Sequence, residues 1–166
     1  MSAWKNLFVP NKMAYARGKN RPEVECILCG IISGDERVEK LEVYQSELFF
    51  VSLNLYPYAP GHLIIFPKRH IVDVRELTPE EVEQLHDVQN TCLNVLDKIY
   101  SPHGYNIGYN IGNAAGASIQ HLHLHIVPRY QRELGFIDII GGAKIIVEDP
   151  NKTRHRLRAA FQELSN

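Results

Sequence analysis

The chain of 166 residues has no long apolar run, little sulfur and almost no net charge. Eighteen lysines and arginines face 19 acidic residues, for a formal charge of −1. No broad basic surface is therefore expected, which argues against bulk binding of nucleic acid or of a membrane surface. No segment approaches the roughly 20 apolar residues of a membrane span, and the N-terminus lacks the apolar core of a signal peptide. The expected location is cytoplasmic. Three cysteines are an odd number, which does not suit a disulfide framework. Two of them stand as Cys26-Ile27-Leu28-Cys29, a spacing that suggests metal or redox chemistry before a structural bridge. Internal repeats and low-complexity segments are also missing. What remains is a chain long enough to bury its own core as one domain.

The most informative stretch is Gln120-His121-Leu122-His123-Leu124-His125-Ile126-Val127-Pro128. Three histidines alternate with aliphatic residues, which is the period of a β-strand. Extended over His121–Val127, it sends Leu122, Leu124 and Ile126 into a core. His121, His123 and His125 then share the other face, roughly 7 Å apart. Neutral imidazole is both a nucleophile and a metal ligand; the plainer reading is a polar strand face that happens to be rich in histidine. Just upstream, Gly112-Asn113-Ala114-Ala115-Gly116-Ala117-Ser118 is a loop of small residues. Such a loop lets backbone N–H groups come close to an anion, with Ser118 as a further donor.

Residues 1–22 mix basic and aromatic side chains and read as an arm laid on the domain or on a partner subunit. Residues 23–166 read as a single domain. Cys26 to Ile32 has i, i+4 aliphatic spacing and predicts a short helix or knuckle, ended by Gly34-Asp35. Strands are predicted over Leu41–Tyr44, Leu48–Leu53 and His62–Pro67, the last continuously apolar. Between the second and third lies the turn-rich Asn54–Gly61. Thr78-Pro79-Glu80-Glu81 predicts the start of a long helix, with Thr78 as cap, Pro79 in the first turn and Glu81 closing a capping box. Val82, Leu85, Val88, Cys92, Leu96 and Ile99 mark its buried stripe, so Cys92 reads as core. Gly104–Ile111 and Ala143–Glu148 predict further strands, and Asp149-Pro150 opens a final helix. The pattern is an α+β domain, a mainly antiparallel sheet with one long helix packed on it and a helix at the C-terminus.

These residues resemble the histidine-triad (HIT) family, whose signature alternates three histidines with apolar residues as His121–Val127 does. Pro60-Gly61-His62-Leu63-Ile64-Ile65, Pro67-Lys68 and Ala115-Gly116 also fall at the family's usual places, so the resemblance spans roughly residues 24–130. Leu7–Tyr15 and the C-terminal tail are similar, more loosely, to one branch, the bacterial diadenosine tetraphosphate phosphorylases. The resemblance implies a nucleotide substrate and transfer of a nucleoside monophosphate through the middle histidine. His123 would attack the α-phosphate, and water or orthophosphate would resolve the nucleotidyl-histidine. Ser118, the loop N–H groups at Gly116 and Ala117, and His125 would donate to the phosphoryl oxygens, His125 also serving as the acid for the bridging oxygen. Asn54 matches a ribose-holding position or is simply a turn former. Asn110 orients a phosphate or ends strand pairing. His62 flanks the active site or is a satisfied histidine at a strand start. Family hydrolases carry glutamine where this chain has Ala117, and the extra room favours orthophosphate as acceptor.

Cys26 and Cys29 alone are half of a zinc site or a redox dithiol. Zinc-containing relatives complete the set with two histidines at the places of His70 and His121. The resemblance thus implies a closed, structural Cys2His2 zinc site, and a homodimer whose sheets join across a two-fold axis. The alternatives to a phosphorylase are a family hydrolase of dinucleoside polyphosphates or nucleoside phosphoramidates, and a nucleotide-binding sensor without turnover.

Overall fold

A computed structural model describes residues 22–131 and 148–164 of the chain. All but the last residue of the expected arm over 1–22, and most of the strand expected at Ala143–Glu148, lie outside the described residues.

The short helix α1, Ile27–Ser33, begins at Cys26, whose sulfur accepts the Cys29 N–H and so caps the first turn. Gly34, at φ 74°, ends it by turning its N–H back onto the Gly30 and Ile31 carbonyls. A five-stranded antiparallel sheet follows: β1 (Glu42–Gln45), β2 (Phe49–Leu53), β3 (Leu63–Pro67), β4 (Gly104–Tyr109) and β5 (Leu124–Arg129). Their order is β1-β2-β3-β5-β4. The long helix α2, Pro79–Tyr100, starts with the expected Thr78 cap and Glu81 capping box. The C-terminal helix α3 is Pro150–Leu164.

β3 explains the layering. Its alternate residues Leu63 and Ile65 join the main core with Val88, Cys92, Val95 and Leu96 of α2 and Leu157, Ala160 and Phe161 of α3. Ile64 and Phe66 pack with Leu28 of α1 in a smaller cluster. A strand covered on both faces has no polar side to show, hence its unbroken apolar run. Arg154 of α3 binds both the carbonyl and the carboxylate of Glu42, tying the helix to the edge strand β1. Among the described residues, no helix is long and apolar enough to cross a membrane.

Several expectations need correction. Strand pairing in the histidine stretch starts only at Leu124, because the Leu122 N–H is taken by the Ile71 carbonyl at 2.6 Å. His121 and His123 are consequently buried, at 1% and 7% exposure, and do not stand on an open face. β4 stops at Tyr109, two residues early, and β3 begins one residue after His62. Val82 is 53% exposed, whereas Val95, missing from the predicted stripe, is fully buried. In the first turn of α2 the buried position is taken by Glu81, which pairs with Arg69.

Candidate active site

A cavity of about 540 Å³ opens on the α1 side of the sheet, within the range of small-ligand sites. Aliphatic Ile27, Ile31, Val38 and Leu53 form part of its wall, together with polar Asn54, Asn110, Ser118, His123 and His125 and the backbone at Gly116. β5 carries His125 between Ile64 of β3 and Gly108 of β4, and His123 sits just before its first paired residue. The two rings meet edge-on with centroids 4.8 Å apart.

The protonation state of His123 follows from one contact. Its Nδ1 lies 2.7 Å from the carbonyl oxygen of His121. A carbonyl can only accept, so Nδ1 carries the hydrogen and Nε2 keeps its lone pair. Burial pushes the His123 pKa down, only partly offset by that hydrogen bond. The ring is therefore a neutral imidazole with a bare Nε2 at the cavity.

The loop behaves differently from expectation. Gly112 and Gly116 have φ of 81° and 87°, a backbone that favours glycine. They frame a tight turn in which Ala115 and Ala117 donate to the Gly112 carbonyl and Gly116 donates to that of Asn113. Three of the N–H groups expected to meet an anion are thus paired inside the loop. Ser118 and the Gly116 backbone reach the cavity; Ala117 is half-buried and outside its lining.

His62 is wholly buried and lies behind His125, not in the cavity wall. Its position is set by the Pro60-Gly61 turn. Gly61 has φ 76°, and a Cβ there would come within 2.9 Å of the Tyr100 ring.

The four proposed metal ligands do converge. One donor atom from each of Cys26, Cys29, His70 and His121 lies within 4.8 Å of all the others. Cys29 Sγ is 3.3 Å from His70 Nδ1, and His121 Nδ1 is 3.4 Å from Cys26 Sγ and 3.5 Å from Cys29 Sγ. Tetrahedral coordination at ordinary zinc bond lengths puts sulfur and nitrogen about 3.6 Å apart, so the donors fit such an ion. His121 Nε2–H donates to the Pro67 carbonyl at 2.9 Å, which turns the lone pair of Nδ1 toward the sulfurs. Burial holds the His121 pKa down to about 4 and that of the Cys29 thiol up to about 11.

Residue types alone did not signal the apolar wall from α1, because Ile27 and Ile31 have the spacing of core residues. They signalled still less the Pro67 and His121 carbonyls, which orient both buried rings and are backbone atoms.

The five-stranded antiparallel sheet thus brings a histidine cluster beside a cavity, and sequence comparison places that arrangement in a family. The HIT-domain family model matches residues 36–132, and the chain belongs to the HIT family. An AP-4-A phosphorylase of Mycobacterium tuberculosis is 41% identical over 120 residues, 72% of this chain and 62% of that protein. The asymmetrical bis(5'-nucleosyl)-tetraphosphatase of Schizosaccharomyces pombe is 32% identical over 97 residues, 58% of this chain and 53% of that protein. In both cases the chain spans less than two thirds of the relative. Among solved structures, a Zn-bound histidine triad family protein from Mycobacterium smegmatis superposes with a TM-score of 0.70 at 31% identity, covering 85% of this chain and 96% of that one.

Proposed function

We propose that the protein is a nucleotidyl transferase that splits dinucleoside polyphosphates by phosphorolysis, with His123 as the nucleophile. The observation that carries this reading is the bare Nε2 of His123, fixed by the His121 carbonyl at a cavity of nucleotide size. Nε2 attacks the α-phosphorus, the bond to the bridging oxygen breaks, and its electrons leave with the departing nucleotide. An oxygen of orthophosphate then attacks the nucleotidyl-histidine, which releases a nucleoside diphosphate and restores the ring. Asn54 holds the ribose against the aliphatic wall, while Asn110, Ser118 and His125 face the phosphates. The AP-4-A phosphorylase relative supports this acceptor.

Cys26, Cys29, His70 and His121 would hold a zinc ion with all four positions filled by protein, and such an ion supplies structure and no reaction step. The Zn-bound neighbour supports the choice of metal. A homodimer is supported by β4, which among the described residues pairs on one side only and leaves Ile107 41% exposed.

The second reading is hydrolysis, favoured by the name of the Schizosaccharomyces pombe relative. Turnover of diadenosine tetraphosphate with labelled orthophosphate separates the two. Phosphorolysis places the label in the nucleoside diphosphate and stops without orthophosphate. Equal turnover in its absence would leave hydrolysis as the reaction.

A further inference from the structure

The four proposed metal ligands are placed by different means. Cys26 caps α1 and Cys29 lies in its first turn, while the buried His121 ring is fixed by the Pro67 carbonyl. His70 is exposed and stands within residues 68–73, which belong to no strand or helix. Its Nδ1 nevertheless lies 3.3 Å from Cys29 Sγ, and its ring meets that of His121 edge-on at a centroid distance of 4.9 Å. The backbone on either side explains the placement. After it, Ile71 is buried, and its carbonyl takes the Leu122 N–H beside His121 at 2.6 Å. Before it, Arg69 grips the buried Glu81 carboxylate with two prongs, Nε to Oε1 at 3.1 Å and a terminal nitrogen to Oε2 at 2.8 Å. That terminal nitrogen also donates to the Glu76 carbonyl at 2.7 Å, and the Thr78 N–H holds Glu81 Oε2 at 2.8 Å.

We propose that Glu81 is a positioning residue for the metal site, holding Arg69 so that His70 already faces Cys29 and His121 before an ion enters. The proposal rests on the reading of Cys26, Cys29, His70 and His121 as a zinc site and adds a residue outside the ligand set. The helix cap by itself does not call for the ion pair. Glutamine closes a capping box as glutamate does, and it escapes the penalty of taking a carboxylate out of water. What the carboxylate adds is a two-pronged bond of fixed direction, one residue away from an exposed ligand. A site whose last ligand is already in place binds its ion without first ordering a loop. One that must recruit that ligand binds more weakly.

Transfer of zinc from the loaded, full-length protein to a chromogenic chelator, followed well below Tm, measures the affinity that tests this. Glu81→Gln keeps the cap and loses the two-pronged pair. It should weaken zinc binding by about 10- to 100-fold, the usual effect of removing a group that orients a metal ligand. Thr78→Ala does the reverse, since it removes the capping hydroxyl while its N–H still reaches Glu81. That variant should lower Tm through the lost cap yet keep zinc affinity within about threefold. Affinity that is unchanged in Glu81→Gln, or that falls as far in Thr78→Ala, overturns the proposal. Should Glu81→Gln fail to fold, Arg69→Lys puts the question from the half-exposed side of the pair, keeping a cation but not the fork. It should also bind zinc more weakly, and unchanged affinity there overturns the proposal equally. If the unsubstituted protein holds no zinc, the metal reading fails and the proposal with it; zinc held equally well without the pair sinks the proposal alone.

Discussion

A ring nitrogen can attack phosphorus only if its lone pair is bare and its direction is held, and His123 meets both conditions through burial and one backbone carbonyl. The same burial has a consequence for stability. His121 is held at about 4 against an ordinary 6.5, and His123 is also shifted down, in both cases mainly because burial disfavours the charged ring. A lowered imidazole pKa means that below 6.5 the unfolded chain takes up protons that the folded chain refuses. Stability is therefore fully present above about pH 6.5 and is lost progressively as the pH falls toward 4. Urea unfolding of the chelator-treated, metal-free protein at pH 7.5 and at pH 5 should show a lower midpoint at pH 5 with a similar slope. An unchanged midpoint would mean that the rings are not buried in their neutral form.

At the scale of elements, the proposed metal ligands come from three places: Cys26 and Cys29 at the start of α1, His70 after β3, and His121 before β5. An ion held there ties α1 to two neighbouring strands, and His121 also supplies the carbonyl that orients His123. Removing it with a chelator, or substituting Cys29→Ser, should lower Tm by about 5 °C or more and release the metal from the protein. A chelated sample with no bound metal and an unchanged Tm would contradict the structural role.

Legibility in the sequence divides along the same line. The capping box of α2 and the doubly buried β3 were readable because the side chains that make them are neighbours in sequence. The three-histidine stretch gave away its period but not its surroundings. The pairing of Leu122 with Ile71 interrupts the ladder, and that partner lies some fifty residues away. The loop N–H groups misled for a related reason, since small residues permit a close approach to an anion but also permit the turn that spends those groups internally.

For the molecule as a whole, one face of the sheet carries the core with α2 and α3, while the other faces α1 and holds the cavity and the four proposed metal ligands. The chain is near neutral overall, so on the proposed reading net charge does little to draw in a polyanionic nucleotide. Affinity must then come from the cavity itself, from its aliphatic wall and from the donors beside His123. The central claim is that a nucleoside monophosphate becomes bonded to His123. Brief incubation with a dinucleoside polyphosphate in the absence of orthophosphate, followed by an alkaline quench and peptide mass analysis, tests it most directly. The account predicts an acid-labile nucleoside monophosphate adduct on His123, absent from His123→Gly although that variant still binds nucleotide. Turnover by His123→Gly, or an adduct carried by another residue, would contradict it.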